Sequence, residues 1–190
     1  FPRQASFAPA EVTASRAFFY KDMDGCPLSG DCRSRSYVIA GDMLVTGRRM
    51  GDFVCAFYSN DSGGTAGWLR RSDLRELPLD AQPPAAAWLG DWSDGASADV
   101  TIGEKYGRLS IVGNAFWPAR PEENDWPTIH IGEVAGALEI AGARASYGDD
   151  NLCELELTLL ADFLLIADNR RCGGANVTFS GVYTRTGQPN

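Results

Sequence analysis

A chain of 190 residues, 44% apolar and 22% charged, suits one or two globular domains and no long disordered tail. Its formal charge of −8 argues against a nucleic-acid partner, which needs a basic face. The same charge suits steering toward a basic protein, or simply keeps the chain in solution. The longest apolar stretch, Leu155–Ile166, is broken by Glu156, Thr158 and Asp162 and falls short of the ~20 residues that cross a bilayer, so no membrane span is expected.

The chain opens on Phe1 in a polar stretch reaching Glu11, with no initiator Met. That pattern, with five cysteines, is the expectation for an exported protein whose signal peptide has been removed, periplasmic or secreted. Short apolar runs then alternate with turns: Arg16–Tyr20, Ser36–Ile39, Met43–Arg48, Phe53–Tyr58 and Gly67–Leu69. Their length and their aromatic and β-branched content predict five strands, and none holds a helical period for three turns. Pro78–Ala87, rich in Pro and Ala, reads as a semi-rigid linker. It separates an expected first domain, Val12–Leu77, from a second, Trp88–Thr186.

The second part is also expected to be all-β. Cys153, Leu155, Leu157 and Leu159 alternate strictly with Glu154, Glu156 and Thr158, giving one buried and one wet face. Val177, Phe179, Gly181 and Tyr183 alternate likewise. With Trp88–Trp92, Val100–Glu104, Arg108–Phe116, Thr128–Val134, Ala137–Ile140 and Phe163–Asp168, about eight strands in sequence predict an up-and-down barrel. Eight-stranded interiors are just wide enough to be filled by side chains or to hold one small ligand.

Cys153 and Cys172 bracket a predicted hairpin turning near Ala161-Asp162, which sets Cys153 opposite about residue 170 and favours a disulfide. Cys26 and Cys32 flank one loop and are paired first, although Cys55 is an alternative partner for either. A zinc site would need closer Cys/His groups, and the chain has one histidine, so no metal is expected.

Catalysis is not expected either. His130 alternates with Ile129 and Ile131 on one strand, and no nucleophile elbow, phosphate loop or dinucleotide fingerprint is present, so no cofactor is implied. The acidic pairs sit in turn sequence, where solvated carboxylates are the ordinary finding.

The residues Ala14-Ser-Arg-Ala-Phe-Phe-Tyr20, Tyr37-Val-Ile-Ala-Gly-Asp42, Phe53-Val-Cys-Ala-Phe-Tyr58 and Gly67-Trp-Leu69 before Ser72-Asp-Leu74 resemble, in order, the bacterial SH3-like domain. The resemblance implies a small barrel whose ligands cross a shallow aromatic surface. By matching position, Tyr20, Tyr37, Phe57 and Trp68 would form that surface, with Asp22, Asp24 and Asp31 at its rim; the alternative is that several of the rings are core. Gly90-Asp-Trp92 is similar to the start of lipocalin-like barrels, in which a late basic residue packs on the Trp, here Arg185. The ending from Asn169 to Tyr183 resembles bacterial envelope barrels without an established activity.

A second binding candidate is Phe116–Pro127, read as a Pro-stiffened loop carrying Trp117, Glu122, Glu123, Asp125 and Trp126. Such a loop loses less entropy on docking than a floppy one; the alternative is a loop folded over one barrel mouth. Together these features predict a non-enzymatic periplasmic protein that binds another protein. Its sharpest form is an inhibitor or immunity-type protein against a basic effector or hydrolase of the envelope. The runner-up is a peptidoglycan-binding module with an accessory barrel, and a small-ligand barrel is the third reading.

Overall fold

The computed structural model describes residues 7–60, 63–118 and 129–186. It is all-β, with two sheets and, between strands, three single-turn 3-10 helices at Gly30–Cys32, Arg71–Asp73 and Ala85–Ala87. Contacts divide the chain into two compact units between Leu79 and Asp80.

The N-terminal unit holds β1 (Ala8–Val12), β2 (Ala17–Tyr20), β3 (Arg33–Val38), β4 (Met43–Met50), β5 (Phe53–Tyr58), β6 (Thr65–Arg70) and β7 (Leu74–Glu76). Their order in the sheet is β3-β2-β6-β5-β4-β1-β7, all antiparallel. Val12, Ala17, Phe19, Val38, Leu44, Ala56 and Leu69 form the core. Strand β1 begins ahead of Val12, where the sequence places the start of the domain. Ala and Pro are poor strand formers, so propensity hides it. Pairing with β4 and β7 decides the matter by burying Ala10 and Val12 completely.

The C-terminal unit holds β8 (Gly90–Ser93), β9 (Ala98–Lys105), β10 (Arg108–Pro118), β11 (Ile129–Ala137), β12 (Glu139–Ala141), β13 (Arg144–Gly148), β14 (Glu154–Leu160), β15 (Phe163–Asp168) and β16 (Gly181–Arg185). These nine strands make a nearly closed antiparallel barrel of order β11-β10-β9-β8-β16-β15-β14-β13-β12. The sequence anticipates about eight. It misses β13, where Arg144-Ala-Ser-Tyr-Gly148 has too little apolar content to stand out, although Ala145 and Tyr147 alternate inward. The interior is filled by Trp88, Trp92, Ile102, Ile111, Leu157, Phe179 and Tyr183, which leaves little to support the small-ligand reading.

The barrel closes by pairing its first and last strands, with Arg185 opposite Trp92. The Arg185 guanidinium lies 4.1 Å from the Trp92 ring centre and donates to the carbonyls of Ala87 (2.6 Å) and Leu89. The open seam lies instead between the consecutive strands β11 and β12. The segment between β15 and β16 runs along the β11 side of it, where the Gly174 N–H donates to the Ile131 carbonyl at 3.1 Å. Gly132 permits this approach: a Cβ there would stand 2.2 Å from the Cys172 oxygen. Tyr147 bridges the seam, accepting from the Ala135 N–H at 3.4 Å and donating to Asp149 at 3.2 Å.

Val177–Ser180 is not a strand, although its alternation suggests one. Continuing the β15–β16 register would set Phe179 opposite Asp168. The Asp168 carboxylate captures the Phe179 N–H at 2.6 Å, so a side chain replaces the backbone ladder. Both expected disulfides are present, Cys153–Cys172 and Cys26–Cys32, and Cys55 is a half-buried free thiol.

Tyr183 is fully buried and donates to the Phe179 carbonyl at 2.7 Å. Burial, with smaller contributions from Asp94, Asp168 and Asp99, pushes its hydroxyl well above the ordinary value of 10.0. In the unfolded chain the phenol ionises near pH ~10. Its stabilisation is therefore complete below that pH and is lost as pH rises toward the folded value. We expect urea midpoints of the barrel to fall above pH ~10, and Tyr183→Phe to flatten that fall. Equal slopes in both proteins would remove Tyr183 as the cause.

Candidate functional site

Cross-strand partners in an antiparallel sheet share a face. In the N-terminal unit, Phe18 pairs with Tyr37, Tyr20 with Arg33 and Trp68, Cys55 with Trp68, and Phe53 with Arg70. These residues therefore lie on one face of β3, β2, β6 and β5, opposite the one carrying Ala17, Phe19, Ala56 and Leu69 into the core. The outer face is an array of rings and guanidiniums. Arg33 stacks 3.8 Å over Phe18, Phe18 meets Tyr37 at 5.7 Å, and Arg16 lies 4.3 Å over Tyr37. Tyr20 meets Phe53 edge-on at 4.9 Å, with Arg70 over both rings and its Nε donating to the Tyr20 hydroxyl at 3.3 Å.

Trp68 is buried on this outer face and not in the core cluster. Its indole N–H donates to Asp22 at 2.9 Å, and Arg48 lies over its ring at 4.7 Å. Arg48 also forks onto both Asp22 oxygens at 2.8 Å, with both side chains more than half exposed. A solvent-facing ion pair thus covers the ring. Cys55 sits beneath; burial pushes its thiol up, opposed by the hydrogen bond and charge of Arg48.

The structure therefore brings Tyr20, Trp68 and Asp22 together and places Tyr37 on the same face, half exposed against Phe18. Phe57 follows Cys55 by two residues on that face and packs where a Cβ on Gly64 would stand. Asp24 and Asp31 are exposed on the loop preceding β3, and no bond ties them to the rings among the described residues. Of the acidic rim anticipated from the sequence, Asp22 is paired with Arg48, while Arg16, Arg33 and Arg70 lie over the rings. Arg16 and Phe18 could have been found from their i, i+2 spacing with Tyr20. Arg48 and Arg70 could not, because only strand pairing brings them to the rings.

Charge divides unevenly between the units. Gln4–Leu79 carries nine basic and nine acidic residues, whereas Asp80–Asn190 carries seven basic and sixteen acidic. The acidity is a property of the barrel, and four arginines of the neutral unit, Arg16, Arg33, Arg48 and Arg70, lie on its aromatic face.

The second candidate is corrected in part. Phe116, Trp117 and Pro118 belong to β10 and pair with Ile131, His130 and Ile129, the Phe116–Ile131 pair being of the aromatic and β-branched kind favoured across strands. Glu122, Glu123, Asp125 and Trp126 lie outside the described residues. Trp117, half exposed, lines a pocket of about 750 Å³ with Asp168, Arg170, Asn176, Thr178 and Ser180. Asp168 faces it with both oxygens already taken. Oδ1 accepts from Arg170 N–H and Ser180 Oγ, and Oδ2 from Thr178 Oγ1 and Phe179 N–H. A carboxylate so saturated organises the loop. Among the described residues no cluster of His, Cys, Asp and Glu could hold a metal ion.

Among the described residues no helix is long and apolar enough to cross a membrane, and two disulfides suit an oxidising compartment. Comparison with family models, curated proteins and solved structures gives no match to this chain.

Proposed function

We propose that this chain is a non-enzymatic protein-binding protein of the periplasm or cell exterior, in its sharpest form an inhibitor or immunity-type protein against an envelope-targeting effector or hydrolase. The observation that carries the reading is the ring–guanidinium array on the outer face of the N-terminal sheet. Tyr, Trp and Arg dominate the energetically important centres of protein interfaces. Here they are held by one another, so little side-chain freedom is lost on docking. The paired cysteines support the compartment.

A peptidoglycan-binding module is the second reading. The long excursion between β1 and β4 and the 3-10 turn before β7 support an SH3-like unit, and Arg185 on Trp92 supports a lipocalin-like barrel in the C-terminal unit.

The test is affinity capture from periplasmic extract with the full chain and with Phe18→Ala/Tyr37→Ala, a change outside the core. We expect a saturable protein partner whose capture falls about tenfold in the variant. Equal capture by both proteins, or by neither, would overturn the reading. Co-sedimentation of the chain with purified sacculi, lost in the variant, would establish the second one instead.

A further inference from the structure

We infer that the aromatic–arginine face of the N-terminal unit recognises an acidic, extended segment of a protein partner; this rests on the protein-binding reading above. A guanidinium stacked on a ring uses its flat face and leaves its in-plane N–H donors pointing outward. Arg33 on Phe18 and Arg16 on Tyr37 are held in this way, 3.8 and 4.3 Å from the ring centres. Among the described residues neither is in a salt bridge, in contrast to Arg48, Arg49 and Arg75. Two oriented forks with no ion-pair partner among the described residues, on either side of the half-exposed Tyr37 ring, match carboxylates spaced along an extended chain with apolar side chains between them.

Two alternatives are weaker on the same observations. The edge of β3 is a poorer template for an added strand, because the Ser36 N–H is already taken by Ser34 Oγ at 3.1 Å. A single-stranded nucleic acid would also find rings and arginines, but it carries a charge at every nucleotide and would face an acidic barrel in the same chain. A peptide with a few carboxylates meets the local positive charge at a smaller long-range cost.

The experiment uses the full disulfide-bonded chain and fluorescence anisotropy of labelled synthetic peptides alternating Glu with Tyr or Val, their Gln and Lys counterparts, and oligothymidylate. We expect the Glu peptide to bind at least about tenfold more tightly than the Gln peptide and to weaken with salt. Arg16→Gln/Arg33→Gln should reduce its binding by about tenfold, with an unchanged thermal transition. Equal or tighter binding of the Lys peptide or of oligothymidylate, or Glu binding indifferent to the double substitution, would overturn the inference. If the captured partner depends on Phe18 and Tyr37 but not on Arg16 and Arg33, the docking surface stands and its acidic specificity falls. If the Glu peptide binds as expected while no partner is captured, the protein-binding reading fails and the chemistry of the face stands.

Discussion

Replacing Asp168 with Ala should lower the stability of the barrel by about 3 kcal/mol, on the order of 15 °C in the melting temperature of a unit this size. The cost arises from what is left behind. Four donors converge on this buried carboxylate, and Ser180 Oγ in turn accepts from the Asp168 N–H at 2.9 Å. In the Ala variant the Phe179 amide is stranded in a buried setting, where no backbone acceptor takes over. Asp168→Asn keeps the shape but only one acceptor oxygen, and should fall between the two. Thermal melts followed by circular dichroism would measure both. A transition within a few degrees of the parent would mean that packing of Phe179 and Val177 alone holds the loop.

Removing the Cys153–Cys172 disulfide should cost a comparable amount, roughly 3 kcal/mol for a closed loop of this length. Its two half-cystines are 19 residues apart in sequence. The bond also fixes the segment whose Cys172 carbonyl rests on Gly132 at the open seam. Cys153→Ser/Cys172→Ser should therefore lower the barrel transition and raise proteolytic cleavage between β15 and β16. The Cys26–Cys32 bond constrains a loop of only 6 residues' separation in the other unit, and Cys26→Ser/Cys32→Ser should leave the barrel transition in place. If the two double variants shift the same transition equally, coupling between the units would replace this local account.

Much of the architecture was legible because strand alternation reports directly on which face is buried. Leu155, Leu157 and Leu159 declare their face without help, and the turn at Ala161-Asp162 then sets the register that joins Cys153 to Cys172. What escaped was structure whose signal lies outside its own segment. Strand β1 is decided by its neighbours, and Val177–Ser180 has strand alternation but loses its ladder to the Asp168 side chain. The candidate site was half visible for the same reason. Local spacing places Tyr20 and Phe18 together, while Arg48 and Arg70 reach the rings from strands far away in sequence. That distinction also decides the charge of the face. Counting Asp22, Asp24 and Asp31 along the chain suggests an acidic surface, whereas the folded register delivers arginines to it.

The seam of the barrel lies between neighbours in sequence, and its closure lies between strangers. Two meanders, β8 to β11 and β12 to β16, are each built of strands that pair with their sequence neighbours. Joining the meanders takes contacts between residues far apart in sequence, Trp92 with Arg185 at the closure and Ile131 with Gly174 at the seam, and loop-closure entropy makes such contacts late. The guanidinium on the Trp92 ring is thus a latch fastened after the halves exist. Interactions made after the transition state govern the rate of unfolding far more than the rate of folding. Arg185 is therefore expected to act on how long the barrel stays shut more than on how fast it forms.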